Sequence, residues 1–207
     1  MNILIVDDHA IFREGLKRIL GEEFQAATFG DAGNATEAIA QVWKKKWDLV
    51  LLDITMHGRS GLDVLKEIRS SVSEVPVLIV SGHPEDQYAV RVLKAGAAGY
   101  LTKESASQEL CKAVRKLLGG GKYISASLAE RLATEIQSPG TDLLETLSNR
   151  EYQVMLLIAA GKAPKEIGNE LSLSAKTIST YRSRILEKMR LRNNAEIMRY
   201  VLERKLA

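Results

Sequence analysis

The 207 residues contain a single cysteine, Cys111, so an internal disulfide is excluded. Cys111 lies in an apolar-periodic segment, which makes it a core thiol rather than a reactive one. No apolar run approaches the roughly 20 residues needed to span a bilayer. Met1–Val6 leads straight into a strand pattern and lacks the charged, apolar, small-residue order of a signal peptide. A cytoplasmic location with no membrane partner is therefore expected. Neither a Walker A nor a Rossmann glycine pattern occurs, so nucleotide binding is not indicated, and no HExxH or similar spacing gathers the histidines into a metal site. Internal repeats and low-complexity tracts are missing too.

The net charge is only +3, but it is unevenly spread. From Leu144 onward 12 Lys and Arg stand against 7 Asp and Glu, leaving 17 against 19 in the preceding residues. A basic C-terminal excess favours a polyanionic partner modestly, since a basic surface is often just a solvated one. With 45% hydrophobic and 27% charged residues the composition is that of a soluble globular protein, and the length suits two small domains.

Four short apolar runs, Ile3–Val6, Leu49–Leu52, Val75–Val80 and Tyr100–Leu101, end in polar residues and precede segments of helical period. Continuous apolar runs suit strands buried on both faces, as in a parallel sheet. A weaker strand at Gln25–Phe29 completes five. Helices are expected at His9–Leu20, Asn34–Lys45, Gly61–Ser70, Glu85–Ala95 and Ser107–Leu118. Five such units predict a doubly wound, flavodoxin-like α/β domain over residues 1–120. Residues 121–145, which include Ser138-Pro139-Gly140, read as a linker carrying a short helical pattern at Ser127–Ile136. Beyond it Asn149–Ala160, Lys165–Leu171, Ala175–Met189 and Ala195–Lys205 are helical with no strand signal, so residues 146–207 form an all-α four-helix module.

In a parallel sheet, function gathers at the carboxyl ends of the strands. Asp7 and Asp8 end the first strand, Asp53 the third and Ser81 the fourth, and Lys103 follows the fifth. With the strand order 2-1-3-4-5, three carboxylates crowd one crevice. Like charges about 4 Å apart repel by roughly 4 kcal/mol at an effective dielectric near 20, so either pKa values rise or a cation enters. A hard divalent ion such as Mg²⁺ meets that need. Lys103 as a point charge and Ser81 as a hydroxyl are what a phosphoryl group on Asp53 would require. The competing use of Asp7-Asp8 is to cap the following helix.

The segments ILIVDD at Ile3–Asp8, LLDITMHGRSG at Leu51–Gly61, VLIVSG at Val77–Gly82 and AGAAGYLTK at Ala95–Lys103 resemble the receiver domain of two-component response regulators. The resemblance implies Asp53 as phosphoacceptor and a sensor histidine kinase as donor. It implies Mg²⁺ held by Asp8, Asp53 and the backbone carbonyl of Thr55, with Asp7 acting through water. Ser81 and Tyr100 would be the hydroxyl and aromatic switch pair, and Lys103 the phosphate-contacting lysine. Two positions depart from the family: His57 stands where proline commonly follows the Met, and Glu104 where many receivers have proline after the lysine. The first loosens the loop after the third strand. The second leaves open the isomer of the Lys103-Glu104 bond, often cis in the family but about 3 to 4 kcal/mol uphill without proline. His57 and His83 read as loop histidines rather than metal ligands.

In the C-terminal module, LSNRE at Leu147–Glu151 offers Ser148 as cap to a helix whose Val154, Leu157 and Ile158 face inward, and Gly161 closes it. KEIGNEL at Lys165–Leu171 and the turn Ser172-Leu173-Ser174 lead into a longer helix, the spacing of a helix-turn-helix. Ile178, Tyr181, Ile185 and Met189 form its buried stripe. Its other faces carry Lys176, Thr177, Ser179, Thr180, Arg182, Ser183, Arg184 and Lys188, donors able to reach phosphates and base edges from a major groove. Lys188, late in the helix, is expected on a phosphate, and Ser179, Thr180 and Ser183 on base edges or bridging waters. KEIGNELSLSAKTISTYRSRILEKM, within Leu147–Leu191, resembles the LuxR-type helix-turn-helix of the NarL/FixJ class of response regulators. The resemblance implies double-stranded DNA as partner and Met198, Val201 and Leu202 of the last helix as dimer contacts. Core packing within the module is the alternative use of those three.

The expected function is that of a bacterial response regulator in which phosphorylation of Asp53 controls homodimerisation and sequence-specific DNA binding, and so transcription. RNA polymerase is a partner that this role leaves open. Catalysis is limited to slow self-phosphorylation and autodephosphorylation. The enzymatic rival, a haloacid-dehalogenase-like phosphatase, puts its nucleophile at the end of the first strand in a D-x-D arrangement, whereas here Asp7-Asp8 is followed by His9. The intact acidic cluster argues against a receiver that only dimerises and is never phosphorylated.

Overall fold

In the computed structural model, which describes residues 1–71, 74–137, 143–204 and 206, five strands alternate with five helices before the chain becomes wholly helical. The strands are β1 (Asn2–Val6), β2 (Thr28–Ala32), β3 (Leu49–Leu52), β4 (Val77–Ser81) and β5 (Gly99–Thr102). The helices are α1 (Ala10–Glu23), α2 (Ala35–Lys44), α3 (Gly61–Ser71), α4 (Glu85–Lys94), α5 (Lys103–Leu118) and α6 (Ala126–Gln137), then α7 (Asn149–Ala159), α8 (Pro164–Leu171), α9 (Ala175–Met189) and α10 (Asn194–Glu203). A short 3-10 turn, not foreseen in the sequence, spans Leu143–Thr146. Two compact units result, Met1–Leu132 and Ala133–Ala207, the division falling inside α6. Residues Ser138-Pro139-Gly140 of the predicted linker lie outside the described residues. Among the described residues no helix is long and apolar enough to cross a membrane.

The first unit is a parallel sheet in the order β2-β1-β3-β4-β5, as expected for a doubly wound domain. Ile3, Ile5, Leu49, Leu51, Leu78 and Val80 share one face and bury against Leu16 and Leu20 of α1 and Leu110 and Val114 of α5. Leu4, Val6, Val50, Leu52 and Ile79 point the other way and are equally buried. Burial on both faces is why these three strands read as unbroken apolar runs. Cys111 packs on the edge of this core, and burial pushes its thiol above the ordinary value.

Two boundaries move by about a turn. The weak strand expected at Gln25–Phe29 lies instead at Thr28–Ala32, because α1 runs on past Leu20 to Glu23 and a turn from Phe24 to Ala27 follows. Gly30 and Asp31 are poor strand formers, yet pairing with Leu4 and Ile5 of β1 holds them in the sheet. Helix α5 starts at Lys103 rather than Ser107, since the Thr102 side chain accepts the Ser105 N–H and caps it there. No cis peptide bond occurs among the described residues, so the Lys103-Glu104 bond is trans.

In the second unit α7 packs against α9 and α10, and α8 against α9. Ser148 and Glu151 close a reciprocal capping box at the start of α7. That helix is buried almost all round; Leu157, expected to face inward, is only half-buried, while Tyr152, Met155 and Leu156 are buried beside Val154 and Ile158. Between α8 and α9 the chain turns through Ser172 in the left-handed region (φ 55°), and Leu173 N–H reaches back to Gly168 O at 2.8 Å. A Cβ on Gly168 would meet the Leu173 carbonyl oxygen at 2.5 Å, so this tight turn requires glycine there. In α9 the buried stripe is Ile178, Ile185 and Met189; Tyr181, assigned to it from periodicity, is half-buried.

Candidate functional site

Because β1 and β3 are neighbours, their ends bring the acidic residues together. The ladders continue to the rim: Asp7 N–H donates to Ala32 O at 3.1 Å and Asp53 N–H to Val6 O at 2.9 Å. Gly61 packs so tightly that a Cβ on it would stand 1.9 Å from the Asp53 carbonyl oxygen, which fixes the loop that folds over Asp53. Asp7 and Asp53 are almost wholly buried, and Asp8 is 10% exposed. From the first turn of α5, Lys103 Nζ lies 2.8 Å from Asp53 Oδ2 and 2.5 Å from Asp7 Oδ2, above the ring of Phe12. A single ammonium serves two carboxylates.

Asp8 is held from another side and by one oxygen only. Asp8 Oδ2 accepts the His57 backbone N–H at 3.1 Å and is also bonded to the His57 ring through Nδ1. Asp8 Oδ1, buried, accepts no hydrogen bond. Asp53 Oδ1 faces the Thr55 N–H at 3.1 Å. Burial pushes the Asp53 carboxyl up to about 6; the charge and hydrogen bond of Lys103 oppose this and the charge of Asp7 adds to it. For Asp8, burial also opposes ionisation, but hydrogen bonds from the His57 side chain and backbone and the charges of His9 and His57 outweigh it and hold the carboxyl below its ordinary value. Lys103 is held above its ordinary value by Asp53 and Asp7, against the effect of its burial.

The orphaned Asp8 oxygen, with carboxyl oxygens of Asp7 and Asp53 close by, fits a small divalent cation with oxygen ligands. Above these groups opens a crevice of about 620 Å³ lined by His9, Ile11, Phe12, Asp53, Thr55, His83 and Lys103, among others.

The two expected switch residues stand behind the rim. Ser81 is fully buried, its Oγ 3.2 Å from the His83 N–H. Tyr100 is turned inward at 2% exposure and donates its hydroxyl to the His83 carbonyl at 2.8 Å. Burial, opposed by a hydrogen bond with Ser81, drives the Tyr100 hydroxyl pKa far above its ordinary value. His83 Nε2 is 2.8 Å from Thr55 Oγ1, so this loop histidine ties the β3 and β4 loops together. His57 is not a bystander either, given its hold on Asp8.

Three contributors escaped the sequence reading. His9 Nδ1 lies 3.1 Å from Asp7 Oδ1 and 2.9 Å from Asp8 Oδ1, Arg13 donates to the Asp7 carbonyl at 2.6 Å, and Phe12 underlies Lys103. All three sit at the start of α1, directly after the acidic pair. His9 is also the residue that precedes the first turn of α1, and its backbone N–H donates to Asp7 Oδ1 at 2.8 Å. Asp7 thus steadies the turn that leads into α1, although no side chain caps the helix itself, while its other oxygen meets Lys103.

On the second unit, Lys176, Ser179, Thr180, Ser183 and Arg184 are exposed along α9. The hydroxyls of Ser179, Thr180 and Ser183 donate to carbonyls one turn back, at 3.0 to 3.1 Å, which leaves their lone pairs outward. Thr177 Oγ1 pairs with Ser174 Oγ in the cap, and Arg182 Nε donates to Asn194 Oδ1 at 2.6 Å. Two assignments need correction. Lys188 Nζ is bound to the buried Glu151 at 2.6 Å and to the Thr146 carbonyl at 3.1 Å, so its charge is engaged within the module rather than held out for a phosphate. Val201 is 0% exposed and belongs to the core, whereas Met198 and Leu202 are 38% and 64% exposed; one face of α10 points inward and the other outward.

Comparison with known proteins agrees with this division. Residues 3–115 match the model of the response regulator receiver domain, and residues 145–201 that of bacterial regulatory proteins of the luxR family. The chain is 35% identical over 199 residues to response regulator UvrY of Escherichia coli K12, covering 95% of this chain and 91% of that one. It is 35% identical over 206 residues to transcriptional activator protein ExaE of Pseudomonas putida, covering 98% and 96%. Among solved structures, RcsB of Salmonella enterica serovar Typhimurium, bound to promoter rprA in the presence of phosphomimetic BeF₃⁻, is similar with a TM-score of 0.62 and 25% identity over 97% of this chain and 98% of that one. The chain therefore belongs to the two-component response regulators that join a receiver domain to a LuxR-type helix-turn-helix domain.

Proposed function

We propose that Asp53 is the phosphoacceptor, that its donor is a sensor histidine kinase, and that phosphorylation controls dimerisation and sequence-specific DNA binding to regulate transcription. On this reading residues 1–120 are the receiver, 146–207 the DNA-binding module and 121–145 the connection, and the protein acts in the cytoplasm where its DNA lies. The Asp53 carboxylate attacks the phosphorus of a phosphohistidine, the P–N bond breaks, and its electron pair leaves with the imidazole; an acyl phosphate remains on Asp53. Lys103 and, after the Tyr100 side has rearranged, the Ser81 hydroxyl meet the new phosphoryl oxygens. Mg²⁺, held by Asp8, Asp53 and the Thr55 carbonyl and by Asp7 through water, would supply further positive charge to those oxygens. Apart from slow self-phosphorylation and hydrolysis of the acyl phosphate, no turnover is expected.

The observation that carries this reading is the sharing of one ammonium, Lys103, by Asp53 and Asp7 beside an Asp8 oxygen left without a hydrogen bond. Promoter binding by the RcsB relative supports the DNA-binding half. Incubation of the full chain with a small acyl phosphate and Mg²⁺, followed by intact-mass measurement, tests the first half: wild type should gain one phosphoryl group and Asp53→Asn none. Phosphorylation of that variant at an unchanged rate would overturn the assignment.

A further inference from the structure

The acidic pocket is bordered by two imidazoles, and their placement differs. His57 grips Asp8 Oδ2 through both its ring and its backbone N–H, so it orients that carboxylate and leaves Oδ1 as the free atom. His9 stands on the free side. Its Nδ1 lies 2.9 Å from Asp8 Oδ1 without closing a hydrogen bond on it, and is hydrogen-bonded to Asp7 Oδ1 at 3.1 Å, a bond that a bound cation would replace. An octahedral ion with ligands at about 2.1 Å separates adjacent ligands by about 3.0 Å, so the His9–Asp8 spacing is that of two neighbouring ligands around one ion, with Asp7 left to act through water. Asp7, Asp8, His9 and Asp53 each offer an atom within 4.8 Å of the others, and the Asp8 side chain is nine-tenths buried while aimed into the space between them.

We propose that His9 Nδ1 is a direct ligand of the cation in this pocket, which makes the site a nitrogen-bearing one that favours a late first-row transition ion over Mg²⁺. The inference rests on the reading that the carboxylates hold a divalent cation and adds a ligand to it. The chemistry behind the selectivity is simple. Carboxylate, carbonyl and water oxygens suit Mg²⁺, while an imidazole nitrogen contributes little to that hard ion and much to Co²⁺, Ni²⁺ or Zn²⁺. Every oxygen site also ranks those ions above Mg²⁺ to some degree, so the diagnostic quantity is how the preference depends on His9.

The test is a pair of calorimetric titrations of the full-length protein with Co²⁺ and with Mg²⁺, for wild type, His9→Ala and His9→Asn. His9 is 67% exposed, so neither replacement threatens the fold. Both variants should lose Co²⁺ affinity by roughly tenfold or more and keep Mg²⁺ affinity within about twofold. The visible absorption of bound Co²⁺ should shift in both, as a nitrogen ligand is replaced by water. Equal losses for the two ions, or Co²⁺ affinity and spectrum independent of His9, would overturn the inference while leaving the cation reading intact. Wild type that takes up neither ion, with Asp8→Asn changing nothing, would remove the cation reading and this inference with it.

Discussion

Lys188 Nζ lies 2.6 Å from Oε2 of Glu151, a carboxylate only 3% exposed and 37 residues away in the chain. The same carboxylate caps α7, accepting the Ser148 N–H at 2.7 Å. Against the cost of burial, the hydrogen bonds from Lys188 and Ser148 hold Glu151 below its ordinary value. A depressed carboxylate stabilises the fold above its unfolded pKa and loses that contribution as pH falls through the lower, folded value. Lys188→Ala should therefore destabilise the helix-turn-helix domain by about 1 to 3 kcal/mol at neutral pH, with the difference shrinking in acid. Thermal unfolding at several pH values checks this. A variant of unchanged stability that bound DNA more weakly, with a salt slope lower by about one unit, would restore Lys188 to the phosphates.

Arg184 and Lys176 are the exposed cations on α9 for which no ion pair is seen among the described residues. Replacing either with alanine should lower the slope of log affinity against log salt by about one unit for each phosphate the side chain had neutralised, or else cost about 1 to 3 kcal/mol at one base pair only. Titrations at several salt concentrations, on a selected operator and on scrambled DNA, separate the two. Neither effect in either variant would move the DNA surface away from α9.

The Asp53 carboxyl is raised to about 6 from an ordinary 3.8, so the folded protein binds its proton more tightly than the unfolded chain. The resulting stability is fully present below the unfolded value and is lost as pH rises through about 6. Above that, the buried charge is a steady cost, relieved in part by Lys103. Asp53→Asn should stabilise the metal-free receiver by up to about 3 kcal/mol near pH 8 and by less near pH 5. Urea unfolding in chelator-treated buffer reads the difference. Equal effects at both pH values would show that Asp53 titrates normally.

On α10 two neighbours should behave oppositely. Val201→Ala leaves a cavity in the core and should cost about 1 to 3 kcal/mol. Leu202→Ala, on the exposed side, should change stability by less than about 0.5 kcal/mol. If α10 supplies the dimer contact, Leu202→Ala should weaken DNA binding and self-association of the phosphorylated protein. Sedimentation of the phosphorylated protein, wild type against variant, decides whether it does.

Strands β1, β3 and β4 were legible because burial on both faces writes itself as an uninterrupted apolar run, and the rim residues were legible because they end those runs. β2 was misplaced since Gly30 and Asp31 carry no strand propensity; hydrogen bonds to β1, invisible in a local window, put them there. Periodicity placed Val201 and Leu202 on one helix but could not say which side faced the core. Lys188 looked free because its partner is 37 residues distant. His9 was passed over for a related reason: its ring meets Asp8 only once α1 starts at Ala10 and brings the imidazole back over the strand end.

Beyond α5 the chain returns to the sheet, where Tyr123 N–H donates to Ala98 O at 2.9 Å and the Tyr100 N–H to Tyr123 O at 3.2 Å, forming a bridge beside Gly99. The outermost strand on that side would otherwise present unpaired amides and carbonyls, a template on which a second chain could add a strand. Tyr123 occupies the middle of that template. A second chain is thereby denied the central backbone groups of β5, so the sheet cannot be extended continuously along that edge without displacing Tyr123.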